Sequence, residues 1–142
     1  MMPILSALVG KDIENPRTVI KQGFRGKNTE TAGCLMRVYT AYSICDGTVI
    51  AVGRSTYNGA WCVTVSIGVD CWIRYCMLSS TGVLKSQKIK KGDFIGYGTD
   101  GYIQFEYCTA EKSNYPVRLS GTQLYKHDPT PIIFSKTDIS EM

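Results

Sequence analysis

The sequence predicts a small all-β domain, an antiparallel sheet or open barrel with irregular N- and C-terminal arms. Runs rich in β-branched and aromatic residues recur with glycine-containing turns from Gly23 onward, at the spacing of about ten residues that is typical of all-β domains. No segment carries the apolar period of an amphipathic helix of useful length. The 142 residues, 44% of them hydrophobic, are sufficient for one continuous core.

Four strands are predicted, over residues 47–53, 61–67, 71–78 and 102–107. In the second strand, alternation places Trp61, Val63, Val65 and Ile67 on one face, which we expect to meet the core. In the fourth strand, Ile103, Phe105 and Tyr107 share a face in the same way. The short connection at residues 68–70 indicates an antiparallel hairpin between the second and third strands.

The remaining segments set the predicted domain boundaries. Residues 1–22 show no sustained period and contain two prolines, so we interpret them as an N-terminal arm. Residues 23–134 form the predicted β domain, in which Gly92 and Asp93 mark a tight turn, and residues 135–142 form a C-terminal tail.

Charge and cysteine usage exclude several classes of function. The net charge of +4 is spread along the chain, with one short basic cluster at 85–91, so we expect no nucleic-acid partner. Residues 1–10 lack a basic leader and are too short for a membrane span. The six cysteines are expected to be reduced and mostly buried, and His127 is interpreted as a solvated loop histidine.

Four motifs in this order resemble the LytM-type (lysostaphin-like) zinc endopeptidase family. They are Gly-Thr-Val-Ile-Ala at 47–51, Tyr-Cys-Met-Leu-Ser at 75–79, Ile-Lys-Lys-Gly-Asp-Phe-Ile-Gly at 89–96 and Tyr-Ile-Gln-Phe-Glu at 102–106. The resemblance extends over residues 23–133. Biotinyl and lipoyl carrier domains have a similar turn at the third motif, but the Met-Lys-Met of biotinyl domains is absent here.

The resemblance implies that the chemistry of the family has been lost from this chain. The three zinc ligands of the family align with Thr31, Leu35 and Gln104 of this chain, and the family's two further catalytic histidines align with Met77 and Tyr102. Threonine and neutral glutamine are not usual zinc ligands, and leucine has no donor atom. We therefore expect neither a catalytic residue, a bound metal nor a cofactor.

By analogy with inactive members of the family, the chain is expected to be a structural subunit of a phage tail, baseplate or tail-like injection machine. The arm through Ile20 and the tail from Pro131 to Phe134 would extend onto neighbouring subunits in the virion, after assembly in the host cytoplasm; the alternative location is the bacterial cytoplasm. A second hypothesis is a peptidoglycan- or peptide-binding module that keeps the old groove, lined in addition by Trp72 and Tyr75. The same residues could instead simply fill the former site.

A third hypothesis is an active hydrolase with a different nucleophile, such as Cys76 or Cys108. A cysteine nucleophile needs a general base close by. His127, the single histidine, lies far along the chain from Cys76 and is separated from Cys108 by 18 other residues, which disfavours this hypothesis.

Overall fold

The computed structural model describes residues 4–24, 28–56, 58–119 and 121–134. Within these ranges the chain forms one mostly antiparallel sheet with few helical turns. The helical elements are α1 (Ile4–Val9), a 3-10 turn (Pro16–Thr18) and α2 (Thr130–Ile133). The strands are β1 (Ile20–Gln22), β2 (Cys34–Met36), β3 (Thr40–Tyr42), β4 (Gly47–Arg54), β5 (Trp61–Gly68), β6 (Cys71–Thr81), β7 (Lys88–Ile89), β8 (Phe94–Gly98), β9 (Ile103–Thr109), β10 (Pro116–Leu119) and β11 (Thr122–His127).

The sheet is open, and its main path runs β1-β2-β9-β6-β5-β4-β7. Strand β9 pairs with β6 along one side, while its other side is shared between β2 and β11. Strand β6 is shared in the same way, because its last residues leave β9 and pair with β8. The predicted all-β antiparallel class and the four predicted strands are therefore confirmed.

One face of the sheet carries the main core. The side chains predicted to face inward on β5 do so, with Val63 and Val65 fully buried. On β9, Ile103 and Phe105 enter the same core, and Phe105 makes an edge-on ring contact with Tyr75 at 6.0 Å between centroids. Alternation along the strands then directs their intervening residues to the opposite face.

The opposite face is divided between a small apolar cluster and a polar groove. The cluster consists of Trp72, Cys108 and Leu124, with Val117 and Leu119 of the β10–β11 hairpin packed against it. The hairpin thus covers one end of this face, and the polar groove occupies the rest of it.

Both terminal segments pack on the domain's own core. Ile4, Leu5 and Leu8 of α1 are buried in the main cluster, together with Ile132 and Ile133 of α2. Burying each such side chain contributes about 1.5–3 kcal/mol, which an extended arm would forfeit. The buried residues 4–8, 132 and 133 are therefore not free to extend onto neighbouring subunits as expected, while the predicted tail 135–142 lies outside the described residues.

Helix α1 is not predicted by the sequence pattern, because six residues are too few to display an apolar period. Neither α-helix in the described ranges has the length and apolar character to cross a membrane.

Candidate functional site: a groove on the face opposite the main core

A groove of about 690 Å³ opens on the face of the sheet opposite the main core. Strands β2, β4, β5, β6 and β9 contribute residues to it, as do the 29–31 segment, the connection between β4 and β5, and the β10–β11 hairpin. This volume lies within the range of small-molecule and peptide-side-chain pockets, roughly 300–1,000 Å³.

The structure brings four of the five sequence-predicted positions into this groove. Thr31, Leu35, Met77 and Gln104 all line it. Leu35 lies directly opposite Gln104 in the β2–β9 register, and a cross-strand pair has Cβ atoms about 4.5–5.5 Å apart. Tyr102 is not among the lining residues; it forms an isolated bridge with Thr99 just before β9.

Trp72 and Tyr75 do not line the groove, contrary to expectation. Trp72 lies on the same strand face as the groove residues but is buried in the small cluster under the β10–β11 hairpin. Tyr75 points into the main core, where its hydroxyl accepts a hydrogen bond from the Ile44 amide at 3.1 Å. Full burial raises the pKa of this phenol well above its usual range.

The residues at the positions that the resemblance assigns to zinc ligands do not fit a zinc ion. Leu35 offers no donor atom, and the Thr31 hydroxyl is already within hydrogen-bond distance of the Asn28 side chain at 3.0 Å. The Gln104 amide nitrogen donates to Glu106 and to the Glu30 carbonyl. Across the described ranges, no group of three or more His, Cys, Asp or Glu side chains is placed to hold a metal.

The polar centre of the groove is instead a buried ion-pair network around Glu106. One carboxylate oxygen accepts from Arg74 Nη1 at 2.7 Å, and the other accepts from Lys126 Nζ at 2.9 Å and Gln104 Nε2 at 2.6 Å. The side chains of Arg74, Glu106 and Lys126 are only 14%, 2% and 3% exposed. Such charges are tolerated in a protein interior only when they are paired and hydrogen-bonded.

Strand pairing explains how the network assembles. Arg74 lies opposite Glu106 in the β6–β9 register and opposite Thr64 in the β5–β6 register. Its Nε donates to the buried Thr64 hydroxyl at 3.1 Å, while Lys126 also donates to the Thr29 carbonyl. The sequence analysis places Glu106 in a motif but predicts no ion pair; the signal for the network is a charged residue within an otherwise apolar strand at both 74 and 106.

Gly33 allows the loop over this network to approach closely. Its φ is +155°, and a Cβ added there would lie 2.9 Å from Gln104 Cγ and 3.1 Å from Glu106 Cγ. Any other residue would have to displace the two side chains at the centre of the groove. The glycine therefore maintains the packing of the loop against the ion-pair network.

Two cysteines of the groove form a disulfide, which corrects the expectation that all thiols are reduced. Cys62 on β5 and Cys76 on β6 both line the groove and are bonded to each other. They lie beside a register irregularity between the two strands, with Cα atoms 4.1 Å apart. Sequence spacing does not reveal this pairing, because it depends on which residues the bulge brings opposite each other.

Three cysteines outside the disulfide, Cys34, Cys71 and Cys108, are poorly suited to nucleophilic catalysis. Burial raises the pKa of Cys108 to about 12 and that of Cys34 to about 11, and it also raises the pKa of Cys71. The thiolate is the reactive form, so these thiols are protonated at neutral pH. Cys76 has no thiol while the disulfide is formed, so neither cysteine of the third hypothesis presents a nucleophile.

His127 is not a solvated loop residue. It ends β11, where its Nε2 lies 2.9 Å from the Thr109 hydroxyl and 3.0 Å from the Glu111 carbonyl oxygen. Alternation places it on the face opposite Lys126, beside the Tyr107 ring. The histidine is therefore separated from the groove by the sheet.

Several solved structures that this chain resembles are peptidases. The chain is similar to a zinc-containing peptidase from Vibrio cholerae, with a TM-score of 0.54 and 27% identity over 69% of this chain and 34% of that one. It is also similar to lysostaphin, the antimicrobial peptidase from Staphylococcus simulans, with a TM-score of 0.59 and 20% identity over 80% of this chain and 47% of that one. The catalytic domain of lysostaphin alone gives a TM-score of 0.59 and 18% identity over 84% of this chain and 96% of that domain.

The chain has the LytM/lysostaphin-like fold. It spans about a third to a half of the length of the first two of these peptidases. No protein-family profile and no curated protein sequence matches it.

Proposed function

We propose that this chain is a catalytically inactive module of LytM/lysostaphin-like fold that binds a peptide, such as the peptide part of peptidoglycan, in its groove. The observation that carries the proposal is the combination of an open groove with ligand positions that cannot hold zinc. Thr31 and Gln104 are engaged in hydrogen bonds within the protein, and Leu35 has no donor atom. Hydrolysis by the family's route needs a zinc-bound water with a pKa of about 7.

The chemistry of the groove supports binding. Its lining combines apolar side chains with buried charged and amide groups, and a few placed polar groups in a largely apolar pocket are typical of ligand sites. Two solved structures that share the fold are peptidases, and the positions that the resemblance assigns to zinc ligands line this groove, so the groove is suited to a peptide. The disulfide between Cys62 and Cys76 and the ion-pair network hold its floor rigid, which lowers the entropic cost of binding.

Co-sedimentation with purified peptidoglycan sacculi tests this proposal. The protein is expected to pellet with the sacculi and to release no new amino groups from them during prolonged incubation. A groove-filling variant, Ala60→Trp, should stay in the supernatant, since Ala60 lines the groove between β4 and β5. The matched variant Ala110→Trp, at an exposed site outside the groove, should pellet like the wild type.

Two results would contradict the proposal in different ways. Release of peptide fragments by a protein that contains stoichiometric zinc would refute the inactive assignment. Equal pelleting of wild type, Ala60→Trp and Ala110→Trp would show that association does not use the groove.

A second candidate function, a structural subunit of a phage tail or baseplate, is favoured by an exposed aromatic cluster away from the groove. At the β3–β8 edge, the ring of Tyr97 contacts the rings of Tyr39 and Phe94, with centroids 5.6 and 5.1 Å away. Tyr39 is 69% exposed. Exposed aromatic clusters are typical of protein interfaces. In this role the protein would remain in the supernatant with sacculi and co-purify with tail proteins encoded beside it, and a Tyr39→Ser, Tyr97→Ser variant would lose that association.

A further inference from the structure

The buried network of the groove carries an excess of positive charge. Arg74 and Lys126 are both paired with the single carboxylate of Glu106, which leaves a net charge of +1 in a site that is largely shielded from water. Arg54 and Arg118 add two exposed cations to the lining, against one further carboxylate, Glu30. Fields inside low-dielectric clefts attract ligands of opposite charge, so the groove favours an anionic group.

Arg74 also has a donor that the protein leaves unused. Its Nε donates to Thr64 and its Nη1 donates to Glu106, while Nη2 has no hydrogen-bond partner among the described residues. Arg74 lines the groove and its side chain is 14% exposed, so a bound ligand can reach this end of the guanidinium. An arginine with one face held by a protein carboxylate presents its remaining N–H groups in a fixed direction.

Gln104 supplies an acceptor beside this donor. Its Nε2 lies within hydrogen-bond distance of two acceptors, the Glu106 carboxylate and the Glu30 carbonyl, which fixes the orientation of the amide. Its Oε1 then has no partner among the described residues. Arg74 and Gln104 contact the two oxygens of one carboxylate and both line the groove, so the unused donor and the unused acceptor belong to the same part of it.

We propose that Arg74 and Gln104 form a subsite for a carboxylate of the bound peptide, with Arg74 Nη2 donating to the carboxylate and Gln104 Oε1 accepting from a neighbouring peptide N–H. The subsite rests on the proposed peptide-binding function and names the group that is recognised. The ligand completes the charge balance of the network, which the protein alone leaves at +1. Lys126, which also donates to the Thr29 carbonyl and to Glu106, holds Glu106 in place from the other side.

The test uses soluble peptidoglycan fragments released by a muramidase, either native or with their carboxyl groups converted to methylamides. Binding to the intact protein is measured by calorimetry. Native fragments are expected to bind at least about tenfold more tightly than methylamidated ones, because a hydrogen bond to a charged group contributes about 1.5–3 kcal/mol. This comparison needs no variant, so it does not depend on the folding of an altered protein.

Arg74→Gln should lose the preference for native fragments, whereas Lys112→Gln, which removes an exposed cation outside the groove lining, should retain it. Equal affinity for native and methylamidated fragments would overturn the carboxylate subsite while leaving the peptide-binding function intact. Binding of neither fragment would instead overturn the proposed function. Displacement of native fragments by inorganic phosphate at equal concentration would show a general anion site and would also overturn the carboxylate assignment.

Discussion

Replacing Glu106 by glutamine should strongly destabilise the protein, because it leaves two buried cations without their common partner. Arg74 and Lys126 are held by its two carboxylate oxygens at 2.7 and 2.9 Å, and Glu106 itself is 2% exposed. Breaking a buried ion pair by removing one partner costs about 3–5 kcal/mol. Against a total stability of about 5–15 kcal/mol, this would be a large fraction.

The measurement is urea unfolding followed by tryptophan fluorescence, with wild type and variant compared under identical non-reducing conditions. An unchanged m-value with a lower midpoint would indicate a loss of stability and not a change in the unfolded state. The matched control is Glu111→Gln, an exposed carboxylate, which should change the free energy of unfolding by less than about 0.5 kcal/mol.

A loss below about 1 kcal/mol for Glu106→Gln would refute the reasoning, since it would mean that water screens the network as it screens surface pairs. Joint replacement by Arg74→Met, Glu106→Leu and Lys126→Met should recover most of the loss. Well-packed apolar side chains can replace a buried ionic cluster at little or no cost in stability.

Three further predictions concern the groove and its surroundings. Gly33→Ala should lower the free energy of unfolding by about 1–3 kcal/mol, measured by the same urea assay, and no loss would show that the loop can move away from the network. The triple variant Thr31→His, Leu35→Asp, Gln104→His should bind zinc, as measured by metal analysis, because Leu35 and Gln104 face each other across β2 and β9. Leu35→Asp alone should not bind zinc. Absence of zinc from the triple variant would contradict the assigned register. Burial raises the pKa of Cys108 to about 12, so this thiol should resist iodoacetamide in the folded protein at pH 8, where about one thiol in ten thousand is ionised. Rapid labelling at pH 8 would refute the burial. Because the pKa is raised in the folded state, the contribution of this thiol to stability is lost as the pH rises from about 9 towards 12.

The fold could be predicted because its main strands carry their own signals. In β5 and β9, β-branched and aromatic residues alternate with smaller or polar ones, and this period alone assigns the core face. The Gly92–Asp93 turn can also be predicted from the sequence, and Gly92 has a φ of +90° in the structure. Helix α1 has no such signal, because all but its last residue are buried and it has no polar face to reveal a period.

The candidate site could be predicted only in part, because much of it depends on contacts between distant segments. The positions of Leu35 and Gln104 followed from the resemblance, but Lys126 is 20 residues beyond Glu106 and becomes its partner only through the β9–β11 pairing. Trp72 faces the side of the sheet that carries the groove, as an alternation argument would place it, but the β10–β11 hairpin covers it. The Cys62 pairing depends on a bulge that no local pattern marks.

The alternation of β9 also bears on how such a domain can change through descent. Phe105, which belongs to the main core, is flanked by Gln104 and Glu106, which belong to the groove. Because neighbouring residues on a strand face opposite sides, a lineage can exchange Gln104 while the core packing of Phe105 is left in place, whereas Glu106 can change only together with its buried cationic partners. Fold and chemistry are thus inherited separately along a single strand, and descendants can keep one while they lose or replace the other.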